Sequence, residues 1–386
     1  MEFDEKGVIK LEDFPSFIHE WWHYIQDITT ITGQNGFYLW MRDIVRMTNI
    51  TCNGENKKIK IPLQRDQYDE VYSKYRRLYN IFCGQLKEKK IIDFQITKEP
   101  EVFPKGISFD GEEHTFAKCK IYVVNEELDF GLTALQELNA YYAQKIAEGY
   151  VPKVNFKVPA DSLPEYPYKV GDLLFDYYKI NCDLRTRFII TTRVLDSLQA
   201  PAVFLNLLKE LKNQSLCYNK NRDIILKTID NVSSKYSYSN TCAINEWWKD
   251  YDNWLKDEHH SMLRESLSWY LTTIGIVDKA KSEFGCDVFE RFISDSFQLL
   301  QGLYGCFPTP IIKIRNVLYG QKILNSNELT DSAKHDFDNA MVIWSHRRIY
   351  DLLSATSVDS INKNSCCPMY NEGDCMYMSK YSSDKK

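Results

Sequence analysis

Between Phe14 and Ile28 the chain reads FPSFIHEWWHYIQDI, and on a helix nearly the whole circumference of that stretch is apolar. Phe14, Phe17, Ile18, Trp21, Trp22, Tyr24, Ile25 and Ile28 cover it, leaving one polar stripe of Ser16, His19, Glu20, His23, Gln26, Asp27 and Thr30. A helix apolar over most of its surface lies inside a protein rather than on it. Any fold must therefore wrap around this helix. It must also satisfy the stripe internally, since each unpaired buried polar group costs roughly 1–3 kcal/mol. Asp13 and Ser16 are cap-type residues at its start, with Pro15 beside them, and Gly33 and Asn35-Gly36 are expected to stop it at about Thr32.

The remainder reads as mainly helical α+β. Further helices are expected at about 37–47 and at 65–89, where Tyr68, Val71, Tyr72, Tyr75 and Leu78 recur at helical spacing. Three short β-branched and aromatic runs, at 91–97, 102–109 and 115–124, predict a small antiparallel sheet. From Phe130 a large helical C-terminal region follows, with helices at about 130–149, 169–181, 184–199, 202–213, 220–233, 243–256, 260–278, 287–303 and 331–355. Residues 359–386 form a polar tail. The prolines of 152–167 suggest a boundary between a 1–150 region and a helical 151–358 region packed against it, as a second domain or as part of the same one.

Composition removes several classes of function. Net charge is −5, so there is no basic footprint for nucleic acid, and the clusters Lys57-Lys58-Ile59-Lys60 and Lys87 to Lys90 read as solvated turns or helix ends. No apolar run approaches the ~20 residues of a membrane span, and the acidic first residues lack the apolar core of a secretory signal. Eleven cysteines without regular spacing suit reduced thiols, so a soluble cytoplasmic protein is expected. Cys366-Cys367-Pro368 and Cys375 read as thiols rather than a second zinc site. Asp257-Glu258-His259-His260 and His346-Arg347-Arg348 read as solvent-facing. Arg185, Arg187 and Arg193 are expected to pair with Asp172, Asp176 or Asp196. No phosphate-binding glycine loop and no nucleophile elbow occurs.

The polar stripe carries His19-Glu20-x-x-His23. Residues four apart on a helix lie about 40° apart around its axis, so both imidazoles reach one ion; displaced by one position, either would point about 100° away. Glu20 falls beside such an ion rather than on it, where a carboxylate can take a proton from activated water. Gln26 and Asp27 stand close enough to orient the ligands or line a cleft.

The stretch Ser16 to Ile25 resembles the active-site helix of the zincin metallopeptidases. No third His follows between Gln26 and Thr32, so the resemblance is to the gluzincin group, which takes a later Glu, often followed by x-x-Ala. Gln136-Glu137-Leu138-Asn139-Ala140 is similar to that setting. Small neighbours at Thr133, Ala134 and Ala140 would let another helix approach Glu137, while Leu132, Leu135, Leu138, Tyr142 and Ile146 supply packing on the opposite face. The resemblance implies Zn2+ held by His19, His23 and Glu137, with Glu20 as general base. Its oxyanion helper would be Tyr141, with Tyr178 as the other candidate. His114, Asp129 and Glu148 compete for the third ligand position.

Two departures stand: the spacing to Glu137 is long for the group, and the strands follow the motif helix instead of preceding it. If 115–124 is an edge strand, it would hold a substrate backbone by β-augmentation. The expected activity is selective intracellular hydrolysis of a protein or peptide, with a regulatory protein partner and neither nucleic acid nor membrane as partner. The alternatives are a helical binding protein or pseudoenzyme with a structural metal, or a di-iron carboxylate bundle built on Glu20-x-x-His23.

Overall fold

In a computed structural model, the residues described are 10–52, 82–84, 95–109, 112–124, 126–256, 261–284, 312–314 and 317–319. They form a mainly helical α+β protein with nine α-helices and a small three-stranded antiparallel sheet.

The apolar stretch folds as helix α1, Phe14–Thr29, with Phe14, Phe17, Ile18, Trp21, Trp22, Ile25 and Ile28 all buried. Pro15 occupies its first turn, where a missing N–H costs nothing. Asp13 makes no cap bond; its carboxylate meets Lys157 Nζ at 3.2 Å.

The helix ends earlier than its glycines suggested. Thr30 is extended (φ −109°, ψ 150°) and α2, Ile31–Cys52, begins at once, running straight through Gly33, Asn35 and Gly36. Thr30 is the reason. Its hydroxyl bonds back to Gln26 O (2.8 Å) and accepts Gly33 N–H (3.1 Å), which makes it the N-cap of α2. Gly33 is there for proximity rather than for stopping a helix: a Cβ on it would lie 2.3 Å from Gln26 O and 2.5 Å from Asp27 Cα.

The sheet is a meander of β1 (Ile96–Phe109), β2 (Glu112–Val123) and β3 (Glu126–Phe130). β3 hides in the sequence because EELDF looks charged, yet Leu128 and Phe130 alternate inward. The expected edge strand at 115–124 is instead the middle strand over Cys119–Val123, paired on both sides. Before that stretch, the Ala117 amide is taken by Gln199 Oε1 at 3.0 Å. Over Cys119–Val123 the strand has no free edge for the peptide docking expected of it.

Helix α3, Leu132–Tyr150, follows the sheet and packs along α1. After it come α4 (Val170–Tyr177), α5 (Leu184–Val194), α6 (Ala200–Glu210), α7 (Tyr218–Ser234), α8 (Ser237–Lys256) and α9 (Ser261–Phe284). A two-residue parallel pairing joins Asn181–Cys182 to Ser215–Leu216, and a short hairpin joins Ile312–Ile314 to Val317–Tyr319. Arg187 pairs with Asp172 at 2.6 Å and stands 3.8 Å from Asp176.

The described residues divide into two units. One takes those up to Leu39, those from Phe82 to Lys249 and those from Ile274 to Phe284; the other takes Trp40–Cys52, Asp250–Thr273 and the 312–319 hairpin. Residues on either side of 150 belong to the same unit. That proline-rich segment is bonded into the fold. Gln144 Nε2 donates to Val158 O, Glu148 accepts Ala160 N–H, and buried Tyr166 donates to Asp129 O.

No helix among the described residues is long and apolar enough to cross a membrane. The helices expected at 287–303 and 331–355, most of that expected at 65–89, the polar tail, the late cysteines, Asp257 to His260 and His346 to Arg348 lie outside the described residues.

Candidate metal centre

Three donor atoms from two helices meet between α1 and α3. His19 Nε2 lies 3.2 Å and His23 Nε2 3.3 Å from the same oxygen, Glu137 Oε2. The two rings are 5.0 Å apart and nearly perpendicular, as the i, i+4 spacing on α1 dictates. Small residues let the helices come together here: Ala134 and Ala140, one turn either side of Glu137, are fully buried. Among the described residues this is the one group of three or more His, Cys, Asp or Glu side chains whose donor atoms lie within 4.8 Å of one another.

The His19–Glu137 and His23–Glu137 separations are those of hydrogen-bonded side chains and also fit ligands about 2.0–2.2 Å from one tetrahedral ion, which stand roughly 3.3–3.5 Å apart; all three donor atoms lie within 4.8 Å of one another. Two neutral nitrogens and one anionic oxygen form the donor set that zinc takes. Access is uneven: the His19 side chain is 8% exposed, against 27% for His23 and 25% for Glu137. The donor atoms therefore open toward solvent on the His23–Glu137 side.

The electrostatics follow from this packing. Burial alone would raise the Glu137 carboxyl, but the two imidazoles bonded to it outweigh that and hold it down to about 2. For His23, burial acts to lower the imidazole, and the contacts with Glu137 and Gln26 together with the charge of Glu20 overcome it, leaving the ring raised above 6.5. Glu20 itself is exposed, beside the ligands as its helical position requires.

A polar chain runs inward behind His23. Its Nδ1 faces Gln26 Oε1 at 3.0 Å; Gln26 Nε2 lies 3.0 Å from both Gln136 O and Asn139 Oδ1. Asn139 also accepts from Trp22 Nε1–H at 2.6 Å, and its Nδ2 donates to Phe188 O, Thr191 Oγ1 and Thr192 Oγ1 on α5. Among the described residues no such support reaches His19, whose Nδ1 is buried without a hydrogen-bond partner there.

Asn139 is a residue that motif reading passed over. Its signal was an amide on the face that α3 otherwise fills with Leu135, Leu138 and Tyr142, where a polar group must be bonded. The competing ligands are engaged elsewhere: Asp129 with Lys118 at 2.9 Å, and Glu148 with the Ala160 amide. His114 lies in β2 opposite Ile107.

Of the two tyrosines expected at the site, Tyr141 is buried beside Tyr142 (ring centroids 5.6 Å) with Lys145 Nζ 5.4 Å from its ring. Tyr178 is buried beside Tyr177. The tyrosine ring next to the ligands is Tyr168, 5.7 Å from His19 and half-buried. It sits just before α4, next to the proline-rich segment 152–167, and was not among the residues expected at the site. Comparison with known proteins gives no match among protein-family models, curated proteins or solved structures.

Proposed function

We propose that the chain is a zinc-dependent metallopeptidase that hydrolyses a peptide bond in a selected intracellular protein or peptide. The observation that carries this reading is the convergence of His19, His23 and Glu137 on one point, across 114 positions of sequence, on a helix that also presents Glu20. His19, His23 and Glu137 hold the ion in this reading. When bound, it polarises the scissile carbonyl and makes a water acidic enough to lose a proton near neutral pH.

Glu20 takes that proton and passes it to the departing amine nitrogen. Tyr168 donates a hydrogen bond to the carbonyl oxygen as charge builds there, in place of the Tyr141 of the sequence reading. A structural zinc site is closed by four protein ligands; here the described residues bring three, two of them about a quarter exposed, which leaves room for water and substrate. A di-iron centre needs a second Glu-x-x-His pair, and Glu137 is followed by Ala140 at that position. The thiols of Cys119, Cys182 and Cys217, which form no disulfide among the described residues, support a reducing compartment.

Elemental analysis of the purified chain after zinc loading is expected to give one zinc per chain. Glu20→Gln should keep that zinc and lose cleavage of a peptide library. Failure of the wild-type chain to take up zinc, or full activity in Glu20→Gln, overturns the reading.

A further inference from the structure

The amide chain behind His23 has only one consistent direction, and that direction decides which ring nitrogen carries the proton. An indole N–H can only donate, so Trp22 Nε1 fixes the atom 2.6 Å away as the oxygen of Asn139. The other end of that amide agrees, since it faces the Phe188 carbonyl at 3.2 Å and the hydroxyls of Thr191 and Thr192 at 2.8 and 2.9 Å. Gln26 then meets two acceptors at once, Asn139 Oδ1 and the Gln136 carbonyl, both at 3.0 Å, so its NH2 group points at them. Its oxygen is left facing His23 Nδ1 at 3.0 Å. An amide oxygen can only accept, and His23 must therefore carry its proton on Nδ1. In the neutral ring the lone pair then sits on Nε2, aimed at Glu137 Oε2 3.3 Å away, an opposition that a cation between them relieves.

We propose that Trp22, Asn139 and Gln26 are positioning residues that lock His23 in the Nδ1–H tautomer and so present its Nε2 lone pair to the point shared with His19 and Glu137. This rests on the metal-site reading above and adds to it a cause for the ligand geometry. The lock is set in rigid surroundings. Trp22, Gln26 and Asn139 are all buried, and Asn139 satisfies both ends of its amide. The Gln26 backbone is held by Thr30 and by the close approach of Gly33. Among the described residues no partner meets His19 Nδ1, so the two ligands differ in how they are held. Partners of this kind commonly change metal affinity about 10–100-fold when removed.

Two measurements test the proposal. Long-range nitrogen–proton NMR on the metal-free wild-type chain, in a buffer alkaline enough to keep the rings neutral, is expected to show His23 as the Nδ1–H form; finding it as Nε2–H overturns the lock without any variant. Gln26→Met keeps the bulk and removes the acceptor. It is expected to release the His23 tautomer, leave that of His19 unchanged and weaken zinc binding by about 10–100-fold in titration calorimetry. Wild-type zinc affinity in a folded Gln26→Met overturns the lock; a wild-type chain that binds no zinc while showing the expected tautomer overturns the metallopeptidase reading and leaves the lock standing.

Discussion

The two shifted groups at the centre give opposite pH dependences to the metal-free and zinc-loaded protein. Glu137, held at about 2 in the fold against 4.5 otherwise, stabilises the metal-free chain above 4.5, and this is lost as pH falls toward 2. His23, raised above 6.5, stabilises it below 6.5, and this is lost as pH rises through the raised value. The Glu137 and His23 contributions are present together only between 4.5 and 6.5, and the Asp27 carboxyl, raised by burial to about 7, shifts the highest melting temperature toward the acidic end of that window. Zinc needs unprotonated imidazoles, so the increase in melting temperature on adding zinc should grow as pH rises above that window. Scanning calorimetry with and without zinc checks both trends. Tyr168→Phe is expected to lower kcat by about 100-fold or more with zinc content unchanged, while Tyr141→Phe leaves kcat near wild type. Equal kcat values for the two variants would remove Tyr168 from the mechanism. Burial pushes the Cys119 thiol up to about 12 and that of Cys182 to about 11, so native-state alkylation should leave both unlabelled after half-buried Cys217 has reacted.

At the scale of elements, the junction of α1 and α2 is the sharpest test of the packing. Thr30→Ala removes an N-cap and should cost about 1 kcal/mol in chemical denaturation. Gly33→Ala forces a methyl group into the Gln26 carbonyl and should cost more, about 2–4 kcal/mol, while also loosening zinc because Gln26 moves. The same junction shows what could be read from the residues alone. The helical spacing of α1 and of α3 was plain, and with it the faces that carry His19, His23 and Glu137. The break at Thr30 was not, because a threonine that caps the next helix looks in sequence like any other residue on the stripe. Gly33 misled for the complementary reason: a glycine that stops a helix and one that admits a neighbouring backbone are the same letter. β3 was lost behind acidic residues, and the pairing that makes β2 a middle strand is a long-range fact with no local signature.

For the molecule as a whole, the site depends on parts far apart in the chain. Asn139 is held by α5, so a fragment ending at residue 150 lacks Phe188, Thr191 and Thr192 and leaves buried amides unpaired. Such a fragment is expected to show little fixed structure by near-ultraviolet circular dichroism and to bind zinc far more weakly than the full chain. The tyrosine beside His19 comes from the segment after 150 as well, so that neither half of the chain as the prolines divide it contains the whole site. Helix α1 also precedes its covering helix by more than a hundred residues, as the 114-position span from His23 to Glu137 measures. During synthesis its tryptophans must wait for that covering helix while the intervening length of chain is made, which makes α1 a segment whose exposure would seed aggregation in a stalled or truncated product.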